Sequence, residues 1–246
     1  MKNIFKIHPL TYLLILICSL SGRFKIIILY MSLIIFHELG HMLTGLLFNW
    51  KIDKIYIYPL GGLTKFNDRV NRPLSQELLV TIAGPIFQVI LSIIIKKYDN
   101  NILLYSNYLL FFNLLPIVPL DGGRIISIIF FLFKPLKKSL NLIIKISYIS
   151  YFVLLFFLIK NHSLFFLLVV FFLIFKINSE SIKKDYYYDK YLLEKYLFNI
   201  KYRRNQIIYN IKNVYKYRNN YIKVNNRLYS EQEYIRKIIN TKNNCK

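Results

Sequence analysis

The chain has 246 residues, 55% of them apolar, and its 34 lysines and arginines against 12 acidic residues give a formal charge of +22. Mean hydropathy is +0.38, and the apolar residues fall in long runs rather than short stripes, which excludes an ordinary soluble domain of this length. Its two cysteines, Cys18 and Cys245, are too far apart in the expected topology to pair; they exclude a disulfide framework and fit a reducing cytoplasmic side.

In chain order, six apolar segments are long enough or nearly so to cross a bilayer: roughly 7–22, 24–48, 78–95, 102–133 (with a break), 142–159 and 162–177. A crossing helix needs about 20 mainly apolar residues. The first does not read as a signal peptide, because no small-residue cleavage site follows and Arg23 leads straight into the second. The expected class is an all-α polytopic membrane protein with about six transmembrane helices. Between the second and third runs, Lys54-Ile55-Tyr56-Ile57-Tyr58 alternates and is followed by Pro59 and Gly61-Gly62. That pattern predicts a short hairpin-like strand and turn.

From Asn178 the continuous apolar character stops, so 1–177 is expected as the transmembrane domain and 178–246 as a small, basic cytoplasmic tail. Within the tail, 187–200 predicts a ragged amphipathic helix. Residues 221–224 and 227–229 predict a hairpin around Asn225-Asn226, and Ser230 with Glu233 predicts a capping box opening a last helix. Such a unit has too few apolar residues for a core of its own.

The positive charge is distributed unevenly. With both termini inside, cytoplasmic segments carry 27 basic residues and outer loops 5; without the tail the split is 10 to 5. This asymmetry predicts an N-in, C-in orientation. The excess charge is thereby assigned to topology and anionic lipid rather than to nucleic acid.

The second run contains His37-Glu38-Leu39-Gly40-His41, an H-E-x-x-H motif. Positions i and i+4 share a helix face, so both imidazoles reach one metal ion, and Glu38 stands where a general base acts. The bland reading is a pair of helix-face histidines beside a surface charge. Inside a spanning helix that reading is weak, because an uncompensated carboxylate there costs about 2.5–3.5 kcal/mol.

A catalytic zinc wants a third protein ligand and an open position. His8 and His162 fall near the membrane interfaces and suit it poorly. Asp121 fits: residues 37–41 lie about 7–11 positions from the cytoplasmic edge and Asp121 about 12, depths that agree within a turn or two at about 1.5 Å per residue. Pro116 and Pro119 break the fourth run there, and Gly122-Gly123 follow Asp121. Irregular backbone at membrane depth belongs where protein or a water-filled cavity surrounds it.

The paired segments HELGH and NLLPIVPLDGG resemble the signatures of the site-2 protease family of intramembrane metalloproteases. The closer likeness is to its sporulation branch, the stage IV sporulation protein FB group. KIHP, YPLGGLTKF, NRPLSQE and Ala83-Gly84-Pro85 followed by Gln88 are similar in type and order, over roughly residues 6–177.

The resemblance implies one zinc ion per chain, held by His37, His41 and Asp121, with Glu38 as base. Asn113 matches the family's N-P-D-G-type Asn and is implied to hold substrate or stabilise the oxyanion. The implied partners are a membrane-associated protein substrate, of the pro-sigma factor kind, membrane lipid, and inhibitory or regulatory membrane proteins. The Gly61-Gly62 loop resembles the family's membrane-dipping loop, which would pair with substrate as an added strand. Branch members usually carry a C-terminal nucleotide-sensing module of the cystathionine-β-synthase (CBS) type; the tail here is short for one and reads as its remnant.

Two alternatives stand beside this reading. One is a site-2 protease acting on an anti-sigma factor. The other is an inactive zinc-binding membrane scaffold, against which the intact Glu38 argues.

Overall fold

The computed structural model describes residues 5–22, 24–58, 61–66, 69–99, 101–159, 164–198 and 200–243. The turn at Pro59, and with it Arg23, His162 and Cys245, lies outside the described residues, as does the side chain of Cys18. The chain forms two compact units, 1–68 with 75–115, and 69–74 with 116–246.

The first unit comprises β1 (Phe5–Ile7), α1 (Pro9–Leu20), α2 (Phe24–Leu47), β2 (Ile52–Tyr58), β3 (Gly61–Phe66), α3 (Leu74–Ile95) and α4 (Asn101–Asn113). The strands form one sheet in the order β1-β2-β3. β1 runs parallel to β2, and β3 antiparallel to it, with Ile55 opposite Thr64 and Ile57 opposite Gly62. The Gly61-Gly62 pair therefore opens a strand rather than forming the turn. α1 is anchored where the Thr11 hydroxyl and the His8 amide both donate to the Ile57 carbonyl.

The core joins Leu33 and Ile34 of α2 to Leu91 of α3 and to Ile102 and Leu109 of α4. Gly40 lets α2 and α3 approach closely: a Cβ there would stand 2.5 Å from the Ala83 carbonyl oxygen. Gly45 does the same for the Phe66 ring, which Trp50 meets edge-on at 5.2 Å.

The second unit comprises the 69–74 segment, α5 (Asp121–Phe133), α6 (Leu136–Ile159), α7 (Leu164–Leu197), β4 (Asn205–Ile208), a 3-10 turn (Ile211–Asn213), β5 (Asn219–Val224), β6 (Arg227–Ser230) and α8 (Glu231–Asn243). α7 is continuous across 177–178. The tail strands form a second sheet in the order β4-β5-β6. Asn225 and Asn226 turn the β5–β6 hairpin with φ of 46° and 63°, the double left-handed geometry of a type I′ turn.

Ile208, Val214 and Ile222 are buried, as are Tyr188 and Tyr191 of α7, whose hydroxyls donate to the Ile211 and Tyr215 carbonyls. The Leu136 amide donates to the Val214 carbonyl at 2.7 Å. The C-terminal half of α7, itself part of the tail, thus supplies much of the apolar surface on which the second sheet rests. Lys195 of α7 and Glu231 of α8 form a buried ion pair at 3.1 Å. Burial pushes the lysine's pKa down and the glutamate's up, each partly countered by its partner.

Two expectations of the sequence need restating. The class is mostly helical rather than all-helical, because the described residues include two three-stranded sheets. Their short members, β1 and β4, are three and four residues long, too brief for an alternation to register. Among the described residues, three helices are long and apolar enough to cross a membrane: Phe24–Leu47, Leu74–Ile95 and Leu136–Phe156. The 102–133 run is divided into α4 and α5, of 13 residues each, about 20 Å apiece against a hydrocarbon core of roughly 30 Å.

Candidate metal centre

α2 places His37, Glu38 and His41 on its buried side, at 2%, 4% and 2% exposure. One ligand atom from each lies within 4.8 Å of the others. The two rings meet edge-to-face with centroids 4.8 Å apart.

Their tautomers follow from their neighbours. His41 Nδ1 lies 2.7 Å from the Val80 carbonyl, which only accepts, so that nitrogen carries the proton. His37 Nδ1 lies 3.0 Å from Gln88 Oε1. The Gln88 amide nitrogen is committed to the Ser106 carbonyl at 2.9 Å and hydroxyl at 3.1 Å, which turns its oxygen to His37 and protonates that Nδ1 as well. With Nδ1 so engaged, Nε2 is the ring nitrogen each histidine turns toward the other.

The two Nε2 atoms stand 3.1 Å apart. Two ring nitrogens at that distance hold either a shared proton or a cation between them. Nitrogens each about 2.0–2.1 Å from one tetrahedral zinc would stand roughly 3.3 Å apart. The donor set fits the ion.

The space around the nitrogens is kept by glycine. A Cβ on Gly84 would lie 2.4 Å from His41 Nε2 and 2.9 Å from His37 Nε2. A Cβ on Gly62 of β3 would lie 2.2–2.5 Å from the Glu38 side chain, so the strand backbone rests on the carboxylate. Thr64, two residues along, donates its hydroxyl to Glu38 Oε2 at 2.5 Å. That bond fixes one oxygen and orients the other.

Asn113, the last residue of α4, is buried at 6% exposure. A Cβ on Gly61 would meet its Oδ1 at 3.2 Å, and Gly61 has φ +152°, where glycine is favoured. β3 therefore sets adjacent residues against the two predicted catalytic side chains: Gly61 against Asn113, Gly62 against Glu38.

Asp121 belongs to the second unit and opens α5, buried at 6% exposure. A carboxylate suits a helix N-terminus. The chain before it folds back tightly: a Cβ on Gly123 would lie 2.5 Å from the Ile117 carbonyl oxygen. The Val118 amide donates to the Ser147 hydroxyl of α6 at 3.1 Å. His8 lies at the end of β1 with its ring 5.0 Å from that of Tyr58.

Sequence reasoning reached the three HELGH side chains and overlooked what orients them. Gln88 carried a usable signal, a lone amide within the apolar run 78–95. Val80 acts through its carbonyl and Thr64 through strand register, and neither leaves a mark in the sequence.

The sequence pattern of peptidase family M50 matches residues 25–97, which include HELGH, the first sheet's hairpin and α3. Stage IV sporulation protein FB of Bacillus subtilis is 30% identical over 204 residues, 77% of this chain and 70% of that protein. A zinc metalloprotease of Methanocaldococcus jannaschii is 33% identical over 168 residues, 63% of this chain and 48% of that protein. The solved structure of the site-2 protease from Methanocaldococcus jannaschii is similar at a TM-score of 0.59 and 27% identity, covering 72% of this chain and 90% of that one.

Proposed function

The chain belongs to peptidase family M50, the site-2 proteases, and we propose that it cleaves a membrane-associated regulatory protein using His37, Glu38, His41, Asn113 and Asp121. As a member it is an intramembrane zinc metalloendopeptidase. The observation that supports His37 and His41 as the metal-holding pair is their Nε2 atoms 3.1 Å apart, with both Nδ1 atoms engaged elsewhere.

In this reading His37 and His41 hold zinc through Nε2, and Asp121 is the third ligand. Zinc supplies Lewis acidity there, acidifying water and polarising a carbonyl. Glu38, steadied by Thr64, takes the proton of the attacking water and returns it to the leaving amine. Asn113 donates its amide to the oxyanion or to the substrate backbone. β3 lies at one end of its sheet, and the substrate pairs with it as an added extended strand.

The proposed substrate is the membrane-associated precursor of a sporulation sigma factor, shortened at its N-terminal extension. Likeness to stage IV sporulation protein FB supports that choice over an anti-sigma factor. An inactive scaffold would not need Glu38, nor Thr64 holding it. The proposed orientation is N-in, C-in. The tail, 178–246, is proposed as a remnant of a CBS-type regulatory module, supported by its single three-stranded sheet flanked by α7 and α8.

The test is co-expression with a candidate pro-sigma factor. Wild type is expected to yield the shortened product, while Glu38→Gln retains zinc and yields none. Cleavage by purified Glu38→Gln protein would refute the base, and cleavage of an anti-sigma factor in place of the pro-sigma factor would reassign the substrate.

A further inference from the structure

Residues 69–74 join β3 to α3, yet they belong to the second unit while those two elements belong to the first. The segment lacks regular structure until α3 begins, and Val70, Asn71 and Arg72 are nevertheless buried. Buried irregular backbone needs hydrogen-bond partners. Glu194 of α7, itself buried, supplies them.

The Val70 amide donates to both carboxylate oxygens at 2.8 and 2.7 Å, and the Asn71 amide donates to Oε2 at 2.9 Å. The Asn71 side chain donates to the same oxygen at 3.3 Å and to the Tyr191 carbonyl at 3.1 Å. Arg69 lies 4.4 Å over the Phe198 ring. Consecutive amides converging on a carboxylate make charge-assisted hydrogen bonds, stronger than their neutral counterparts.

The same turn of α7 is gripped by the tail. Lys195, the next residue, pairs with Glu231 at 3.1 Å. Asn220 of β5 donates to that glutamate at 2.6 Å, and Gln232 donates to the Lys195 carbonyl at 3.2 Å. The Tyr191 hydroxyl donates to the Tyr215 carbonyl at 3.1 Å. The second sheet and α8 thus stiffen the turn that carries Glu194.

The elements joined by 69–74 are those that shape the metal centre. β3 lays Gly62 and Thr64 on Glu38, and α3 supplies Gly84, the Val80 carbonyl and Gln88 to the imidazoles. Among the described residues, the groups that donate to the Glu194 carboxylate are the Val70 and Asn71 amides and the Asn71 side chain, none of them a proposed reacting group. We propose that Glu194 is a positioning residue: by holding the Val70 and Asn71 amides it keeps the β3–α3 junction still, and through it the tail acts on the peptidase site. The inference rests on the proposed zinc site only for its effect on zinc.

The test is hydrogen exchange read by mass spectrometry on the full-length, zinc-loaded protein in detergent, comparing wild type, Glu194→Ala and Glu194→Gln. In both variants exchange is expected to quicken by about tenfold in 69–74 and at least about threefold in 61–66 and 74–88, with α6 and β5 unchanged. Zinc release to a chelator should quicken by several-fold. Quickening confined to 69–74 and α7, with β3 and α3 at wild-type rates, would overturn the proposal. If Glu194→Ala loosens the whole tail, Glu194→Gln, which keeps the volume and one acceptor oxygen, is judged by the same criterion. Exchange needs neither substrate nor cleavage, so a negative result here is distinct from failure of the Glu38→Gln comparison.

Discussion

At the scale of single residues, the candidate centre depends on groups that hold the imidazoles as much as on the imidazoles. Gln88 bonds His37 Nδ1 through Oε1 and is itself locked by Ser106. Replacing it with leucine removes the acceptor that keeps the proton on Nδ1. Loss of such a partner typically costs 10–100-fold in metal affinity, so Gln88→Leu is expected to bind zinc about 10–100-fold more weakly in competition with a chelator. Wild-type affinity in that variant would reduce Gln88 to a packing residue.

Gly84 makes a sharper case. Its missing side chain is the space in front of both Nε2 atoms, and a methyl group there would stand 2.4 Å from one of them. Gly84→Ala is therefore expected to purify without zinc, as metal analysis would report. Ile93→Ala, an exposed position on the same helix, should keep its zinc.

At the scale of elements, two helices meet at Gly40, where the Ala83 carbonyl occupies the place of a side chain. That contact sets α3 against the HELGH face of α2 and gives Val80 and Gln88 their reach. α8 illustrates a different local rule. The Ser230 amide donates to Glu233 at 2.8 Å, and the Glu233 amide donates back to the Ser230 hydroxyl at 3.3 Å. This capping box satisfies two donors that a helix start otherwise leaves open.

The Ser230 amide, with its hydroxyl, holds the Glu233 carboxyl below the usual range. A carboxylate whose folded pKa is depressed contributes stability that is present above its unfolded value, about 4.3, and is lost as pH falls through the folded value. Amide exchange in 231–236, corrected for its intrinsic pH dependence, should accordingly quicken as pH is lowered from 6 to 3. The same segment of Glu233→Gln should show no such step.

At the scale of the whole molecule, charge and hydropathy argue for orientation. Basic residues gather on the segments assigned to the inside by 27 to 5, and short basic loops are retained on the cytoplasmic side. Sealed inside-out vesicles should expose the tail, so that added protease removes the 200–246 region there while right-side-out vesicles protect it. The opposite pattern would reverse the proposed orientation. Within the tail, Tyr188 and Tyr191 of α7 are buried along with Ile208, Val214 and Ile222, which is how residues rich in Lys, Tyr and Asn hold a sheet and a helix.

The H-E-x-x-H face, the apolar runs, the proline break before Asp121, the I′ turn at Asn225-Asn226 and the cap at Ser230 were all legible in the sequence. Each is a local matter: helical periodicity, side-chain chemistry or backbone preference acts within a few residues. Tertiary structure decided which ring nitrogens keep their protons, why Gly40, Gly62 and Gly84 have no side chain, and where the Val70 and Asn71 amides find a carboxylate. Those depend on atoms brought together from 24 to 124 positions apart, and hydrogen-bond geometry and close packing between distant segments have no period for a sequence to display.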